Sequence, residues 1–159
     1  RIGESVIRLR NPPAVVATVF GAGLLPGAPG TWGALAALPI AWALQAWAAP
    51  WGLPAAVVVV VLLGLWSVGH VIGGAAGEDP GAVVIDEVAG QWITLLAAPL
   101  DPLFYLAGFL LFRVIDIVKP WPVSWADRTV KGALGVMLDD VLAGLYAAAV
   151  LAVVVWWAA

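Results

Sequence analysis

The stretch "AVVIDEVAGQWITLL", residues 82–96, decides how the chain is read. It is an apolar run of membrane-helix character with two adjacent acids, Asp86 and Glu87, inside it. An isolated carboxylate at a helix centre costs roughly 2.5–3.5 kcal/mol on insertion scales, and less near the interface. Glu87, Gly90, Gln91 and Thr94 recur at i, i+3, i+4 and i+7, a small and polar stripe along one helix face. Glycine on such a face lets a second helix come close. The stretch therefore predicts a helix that meets other helices along a polar seam.

The rest of the chain supports a membrane setting. Hydrophobic residues make up 64% of the 159 residues and charged ones only 11%, against roughly 45–50% and 25% in soluble domains. No Asp, Glu, Lys or Arg occurs from Asn11 to Gly77. The length fits one domain, so residues 1–159 are read as a single membrane-embedded catalytic unit. The net charge of −3 says less than its distribution, and nothing calls for a nucleic-acid partner. The absence of cysteine excludes disulfides, thiolate nucleophiles and thiolate-bound metals. "RIGESVIRLR" at the N-terminus is amphipathic, and the apolar run after it is broken by "GAGLLPGAPG", unlike a cleavable signal peptide.

The expected fold is all-α: a polytopic bundle of about five transmembrane helices with a short amphipathic N-terminal segment. The first helix starts near Trp32 with Thr31 as its cap, and "APWGLP" turns the chain into the second, "AAVVVVVLLGLWSVGHVIGGAA". Asp79-Pro80 and Asp101-Pro102 mark the next two starts, since proline suits the first helical position. The third helix runs from about Gly81 to Ala98, and the fourth, "PLFYLAGFLLFRVIDIV", ends at Lys119-Pro120. "KPWPVSWADRTVKGAL" is a polar loop, and the fifth helix spans about Leu134–Trp157. With alternating directions every Lys and Arg falls on one face of the bundle, which the positive-inside rule makes cytoplasmic. The C-terminus then lies outside.

This topology gathers five acids. Asp86 and Glu87 fall in the second turn of a helix entering from the cytoplasm. Asp116 falls in the last turn of one returning to it, and Asp139 and Asp140 in the second turn of the next one in. Arg113 and Lys119 flank Asp116 at three residues on either side, which puts all three on one face. Two cations do not balance five carboxylates, and hard oxygen ligands suit Mg²⁺ or Mn²⁺. Asp79 and Asp101 read as helix caps, and His70, alone among glycines, as a packing residue.

On the same face lies "GAGLLPGAPGTWGAL", residues 21–35. Its glycines allow close backbone approach, and the helix start at Gly30–Thr31 offers free N–H groups to an anion. It lacks the lysine and spacing of a Walker loop. An acid cluster beside an anion site fits a metal-dependent enzyme acting on a phosphorylated lipid, a reaction class in which charge stabilisation gives a large return.

Four segments, "APGTWGAL" (28–35), "EDPGAVVIDEVAGQW" (78–92), "FRVIDIVKPWP" (112–122) and "GVMLDDVLAGLY" (135–146), resemble the phosphatidylglycerophosphatase A family. Ala34 departs from the pattern, which has serine there. The resemblance implies a Mg²⁺-dependent phosphatase of the bacterial inner membrane, its active site facing the cytoplasm. Its substrate would be the phospholipid phosphatidylglycerophosphate, reached from among the membrane lipids and converted to phosphatidylglycerol and phosphate. Asp86, Glu87, Asp116, Asp139 and Asp140 would be catalytic. Asp86, Glu87, Asp116 and Asp140 would hold one or two Mg²⁺; adjacent helical acids diverge by about 100°, so one of each pair would bind metal, with Glu87 and Asp140 favoured. Gly30, Thr31, Arg113 and Lys119 would bind the substrate phosphate. Water is the favoured nucleophile over an aspartate, because no DxDx[TV] signature occurs.

Two other classes use similar acids. A cation transporter or channel would carry polar residues through the full bilayer thickness, whereas the outer halves of these helices are almost purely apolar. A phosphatidyltransferase would show DxxDGxxAR, which is absent.

Overall fold

The computed structural model describes residues 9–73 and 81–159, which form seven α-helices and no strand. They are α1 (Pro12–Ala17), α2 (Pro29–Trp47), α3 (Gly52–Val71), α4 (Ile85–Leu95), α5 (Pro102–Val118), α6 (Val123–Thr129) and α7 (Gly132–Ala158). Five of them, α2, α3, α4, α5 and α7, stand where the apolar runs place helices. Two, α3 and α7, are long and apolar enough by length and composition to cross a membrane. Helix α4 has only 11 residues, about 16 Å, against a hydrocarbon core of about 30 Å.

Helix starts follow local chemistry. Asp101 Oδ1 accepts hydrogen bonds from the N–H groups of Leu103 (2.8 Å) and Phe104 (3.4 Å), with Pro102 at the first helical position. This is the cap that the Asp-Pro pair predicts. The corresponding Asp79-Pro80 signal and the amphipathic segment at residues 1–8 lie outside the described residues. Thr31 is not the cap of α2: the helix begins two residues earlier at Pro29, whose fixed φ suits that position, and Ala28 is the N-cap. The third helix starts later than expected, at Ile85, because Val84 spends its N–H on the carbonyl of Ala17 (2.9 Å). Asp86 and Glu87 thus lie in the first turn rather than the second. Part of the supposed loop after Lys119 is helix α6, which buries Val123 and Ala126.

Helix α4 is the hub. It packs on α2, α3, α5 and α7, and ten of its residues are buried. Closest is the crossing with α7. A Cβ on Gly144 would come within 2.5 Å of the Gly90 carbonyl oxygen, and one on Gly90 within 2.7 Å of the Asp140 carbonyl oxygen. Thr94 Oγ1 fastens the crossing by donating to its own turn at Gly90 O (3.0 Å) and across to Gly144 O (3.3 Å). At the far end of α4, Gln45 Nε2 donates to the carbonyls of Leu95 (3.0 Å) and Ala98 (3.4 Å), and its Oε1 accepts from Tyr105 Oη (2.7 Å). Carbonyls left over where a helix ends inside an apolar bundle are thereby satisfied.

The outer surface is apolar. Val58, Val59 and Leu62 on α3, Leu103, Leu106, Val114 and Ile117 on α5, and Val153 on α7 are all exposed. Trp47, Trp51, Trp156 and Trp157 project at one end of the long helices, and Trp32, Trp121 and Trp125 at the other. Such a surface suits lipid rather than water.

Candidate active site

The acids arrive on three helices. Helix α4 brings Asp86 and Glu87, α5 brings Asp116 with Arg113 one turn before it, and α7 brings Asp139 and Asp140. Asp86, Asp116, Asp139 and Asp140 are buried, and Glu87 and Arg113 are nearly so. Two groups of three acids have carboxylate oxygens within 4.8 Å of one another: Asp86, Glu87 and Asp140, and Asp116, Asp139 and Asp140. Asp140 belongs to both. The close α4–α7 crossing at Gly90 and Gly144 makes this convergence geometrically attainable.

Two cations thread the cluster. Arg113 Nη1 bridges Glu87 Oε2 (2.7 Å) and Asp116 Oδ2 (2.6 Å). Lys119 Nζ lies 2.9 Å from Asp139 Oδ2, 3.5 Å from Asp116 Oδ1 and 3.8 Å from Asp127 Oδ1. Lys119 ends α5 in the left-handed conformation (φ 51°, ψ 63°), which costs a non-glycine residue roughly 1–2 kcal/mol. The three carboxylates offset that cost and aim the ammonium back at the cluster. Burial works against its charge, but the hydrogen bond to Asp139 and the charges of Asp139, Asp116 and Asp140 outweigh it and raise its pKa. Arg113 and Lys119, expected as anion ligands, are thus partners of the acids in this structure. Asp127, on α6, joins the rim of the cluster, and its place within a polar loop hid it in the sequence.

The donor set fits a hard cation. Asp140 Oδ2 is buried with no hydrogen-bond partner, so the residue common to both groups has a carboxylate oxygen without a polypeptide donor. A buried acid in that condition calls for a cation or a proton.

The start of α2 abuts the same cluster. A Cβ on Gly30 would lie 2.5 Å from Glu87 Oε1 and 3.0 Å from Arg113 Nη1. As the second and third residues of α2, Gly30 and Thr31 have N–H groups without intrahelical acceptors. Beside them opens a cleft of about 210 Å³ lined by Pro26, Gly27, Ala28, Thr31, Trp32 and Leu35. Gly30→Ala is expected to displace Glu87 and Arg113 and lower turnover about 10–100-fold, the usual scale for disturbing groups that support a site. Unchanged turnover in the folded variant would show that the helix start does not touch the reaction.

Arg128 and Lys131 lie exposed outside the cluster. His70 is exposed near the end of α3, with Nδ1 2.7 Å from the Trp66 carbonyl oxygen. It takes no part in the site.

Comparison with known proteins agrees with the site. The family model described as "Phosphatidylglycerophosphatase A" matches residues 15–155. A "Phosphatidylglycerophosphatase A" of Escherichia coli is 40% identical over 152 residues, covering 94% of this chain and 87% of its own length. A Bacteroides thetaiotaomicron protein named "Putative phosphatidylinositol-3-phosphatase" is 43% identical, covering 91% of this chain and 94% of its own. A "Phosphatidylglycerophosphatase A" of Haemophilus influenzae is 36% identical, covering 95% and 93%. No solved structure matches the chain. With three acid-bearing helices, the abutting helix start and this extent of identity in agreement, the chain belongs to the phosphatidylglycerophosphatase A family.

Proposed function

We propose that the protein hydrolyses the terminal phosphate monoester of phosphatidylglycerophosphate, using Mg²⁺ held by its buried acids. The observation that carries this reading is the pair of three-acid groups joined at Asp140 and set against Arg113 and the α2 start. The names of the relatives agree on a lipid-linked phosphate monoester and differ in the headgroup.

Asp86, Glu87, Asp116 and Asp140 would hold the ion or ions, which would offset the phosphate's charge and polarise its oxygens. The N–H groups of Gly30 and Thr31 donate to phosphate oxygens, and Arg113 and Lys119 add positive charge from the α5 side. Asp139 and whichever acids remain free of metal orient the attacking water and take its proton. Water oxygen bonds to phosphorus, the ester P–O bond breaks, and the lipid alcohol leaves with a proton. The apolar cleft at Trp32 and Leu35 seats the lipid end of the substrate beside the phosphate.

The reading sets the five-helix bundle in the inner membrane, with short α4 enclosed within it, the site at the cytoplasmic end and the C-terminus outside. In its support, all Lys and Arg fall on one side of the alternating helices.

The test is phosphate release from phosphatidylglycerophosphate by purified protein in detergent, with Mg²⁺ or EDTA. Release is expected with Mg²⁺, abolished by EDTA, and reduced about 100–1000-fold by Glu87→Gln, as for loss of one charge-stabilising group. No release from folded wild type on several phospholipid monoesters would overturn the reading. Cation flux in liposomes would then test a transporter.

A further inference from the structure

Gln91 is fully buried, and neither Oε1 nor Nε2 of its amide has a hydrogen-bond partner. The reaction described above does not use it. Buried amides are ordinarily satisfied, and a leucine in its place would fill similar volume with nothing to satisfy. A group absent from the polypeptide is therefore its natural partner.

Its position says where that partner lies. Gln91 follows Glu87 by one helical turn and shares its face of α4. The other buried orphan atoms among the described residues are Arg113 Nε and Asp140 Oδ2. Arg113 is ion-paired to Glu87 at 2.7 Å, and Asp140 belongs with Glu87 to one of the three-acid groups. Arg113 and Asp140 thus adjoin Glu87, and Gln91 lies one helical turn from it.

The chemistry of the partner follows from the amide itself. A cation would satisfy Oε1 and leave Nε2 bare, and a phosphate oxygen would do the reverse. Water donates and accepts, and so answers both. Arg113 Nε, a further orphan donor, is likewise a group that ordered water can satisfy.

We propose that Gln91 is a positioning residue of the phosphatase centre, holding ordered water one turn deeper than Glu87 and through it fixing Arg113 and, by its ion pair, Glu87. This rests on the phosphatase reading.

The experiment compares Gln91→Leu and Gln91→Asn with wild type for kcat and KM on phosphatidylglycerophosphate with Mg²⁺, and for Tm in EDTA. Gln91→Leu is expected to lower kcat about 10–100-fold with KM unchanged, while Tm in EDTA holds or rises. Gln91→Asn, which keeps a donor and an acceptor, is expected to recover part of kcat. A Gln91→Leu protein with wild-type kcat overturns the proposal. So does a fall in Tm, or failure to fold, in both variants, because the amide is then part of the scaffold. Inactive wild type, by contrast, would refute the phosphatase reading itself.

Discussion

Asp140→Asn is expected to abolish phosphate release to within background, on the order of a 1000-fold loss, without lowering metal-free stability. The two halves of this expectation share one cause. Asp140 is the residue common to both acid groups, and its Oδ2 has no polypeptide partner. An amide of the same shape keeps the packing but contributes no charge to hold a cation. Without a cation, the wild-type carboxylate is a buried acid among four others, a costly arrangement. Removing its charge relieves repulsion, so Tm in EDTA should hold or rise, whereas the Mg²⁺-induced rise in Tm should shrink. Asp127→Asn is the control: Asp127 is exposed and meets Lys119 only at 3.8 Å, a surface pair of small worth. Turnover within tenfold of wild type in folded Asp140→Asn would remove the shared acid from the mechanism.

Gly144→Ala is expected to destabilise the bundle by about 3 kcal/mol, the upper end of the range for overpacking. Its new methyl group would press on Gly90 O at 2.5 Å and Gly90 Cα at 3.0 Å, both backbone atoms of a buried helix that cannot turn aside. The pieces must part, and Asp140, one turn before Gly144, moves away from Glu87 as they do. Thermal melting in detergent checks the first effect, and turnover per folded molecule the second. Gly81→Ala serves as reference, because a Cβ there meets no atom of the described residues within 4 Å. Equal melting of Gly144→Ala and wild type would mean that the crossing has slack the structure does not show.

The five main helices were legible because apolar runs and Pro-marked starts are local signals. Asp101 shows this best, since its cap needs only the two residues after Pro102. The acids were legible because charge is rare enough here that alternation alone brings them to one end. Contacts between distant segments were not legible. The late start of α4 depends on a bond from Val84 to Ala17, and Lys119 turns toward Asp139 through a backbone conformation that sequence seldom betrays. Helix α6 is seven residues long, too short for periodicity to stand out from its polar setting. Gln91 was visible as part of a polar stripe, but its lack of partners emerges only once its surroundings are in place.

The burial of α4 has a consequence for how the enzyme meets bilayers of different thickness. Hydrophobic mismatch acts on helices that face lipid, tilting or bending them at a modest cost per ångström. In the proposed membrane setting such stress would fall on α3, α5 and α7, whose outer faces are bare. Helix α4 is short, wrapped by four neighbours and tied at its far end by Gln45, so it has no edge for the lipid to pull. In the membrane setting proposed above, the acid pair at its head would thereby be insulated from the mechanics of the bilayer.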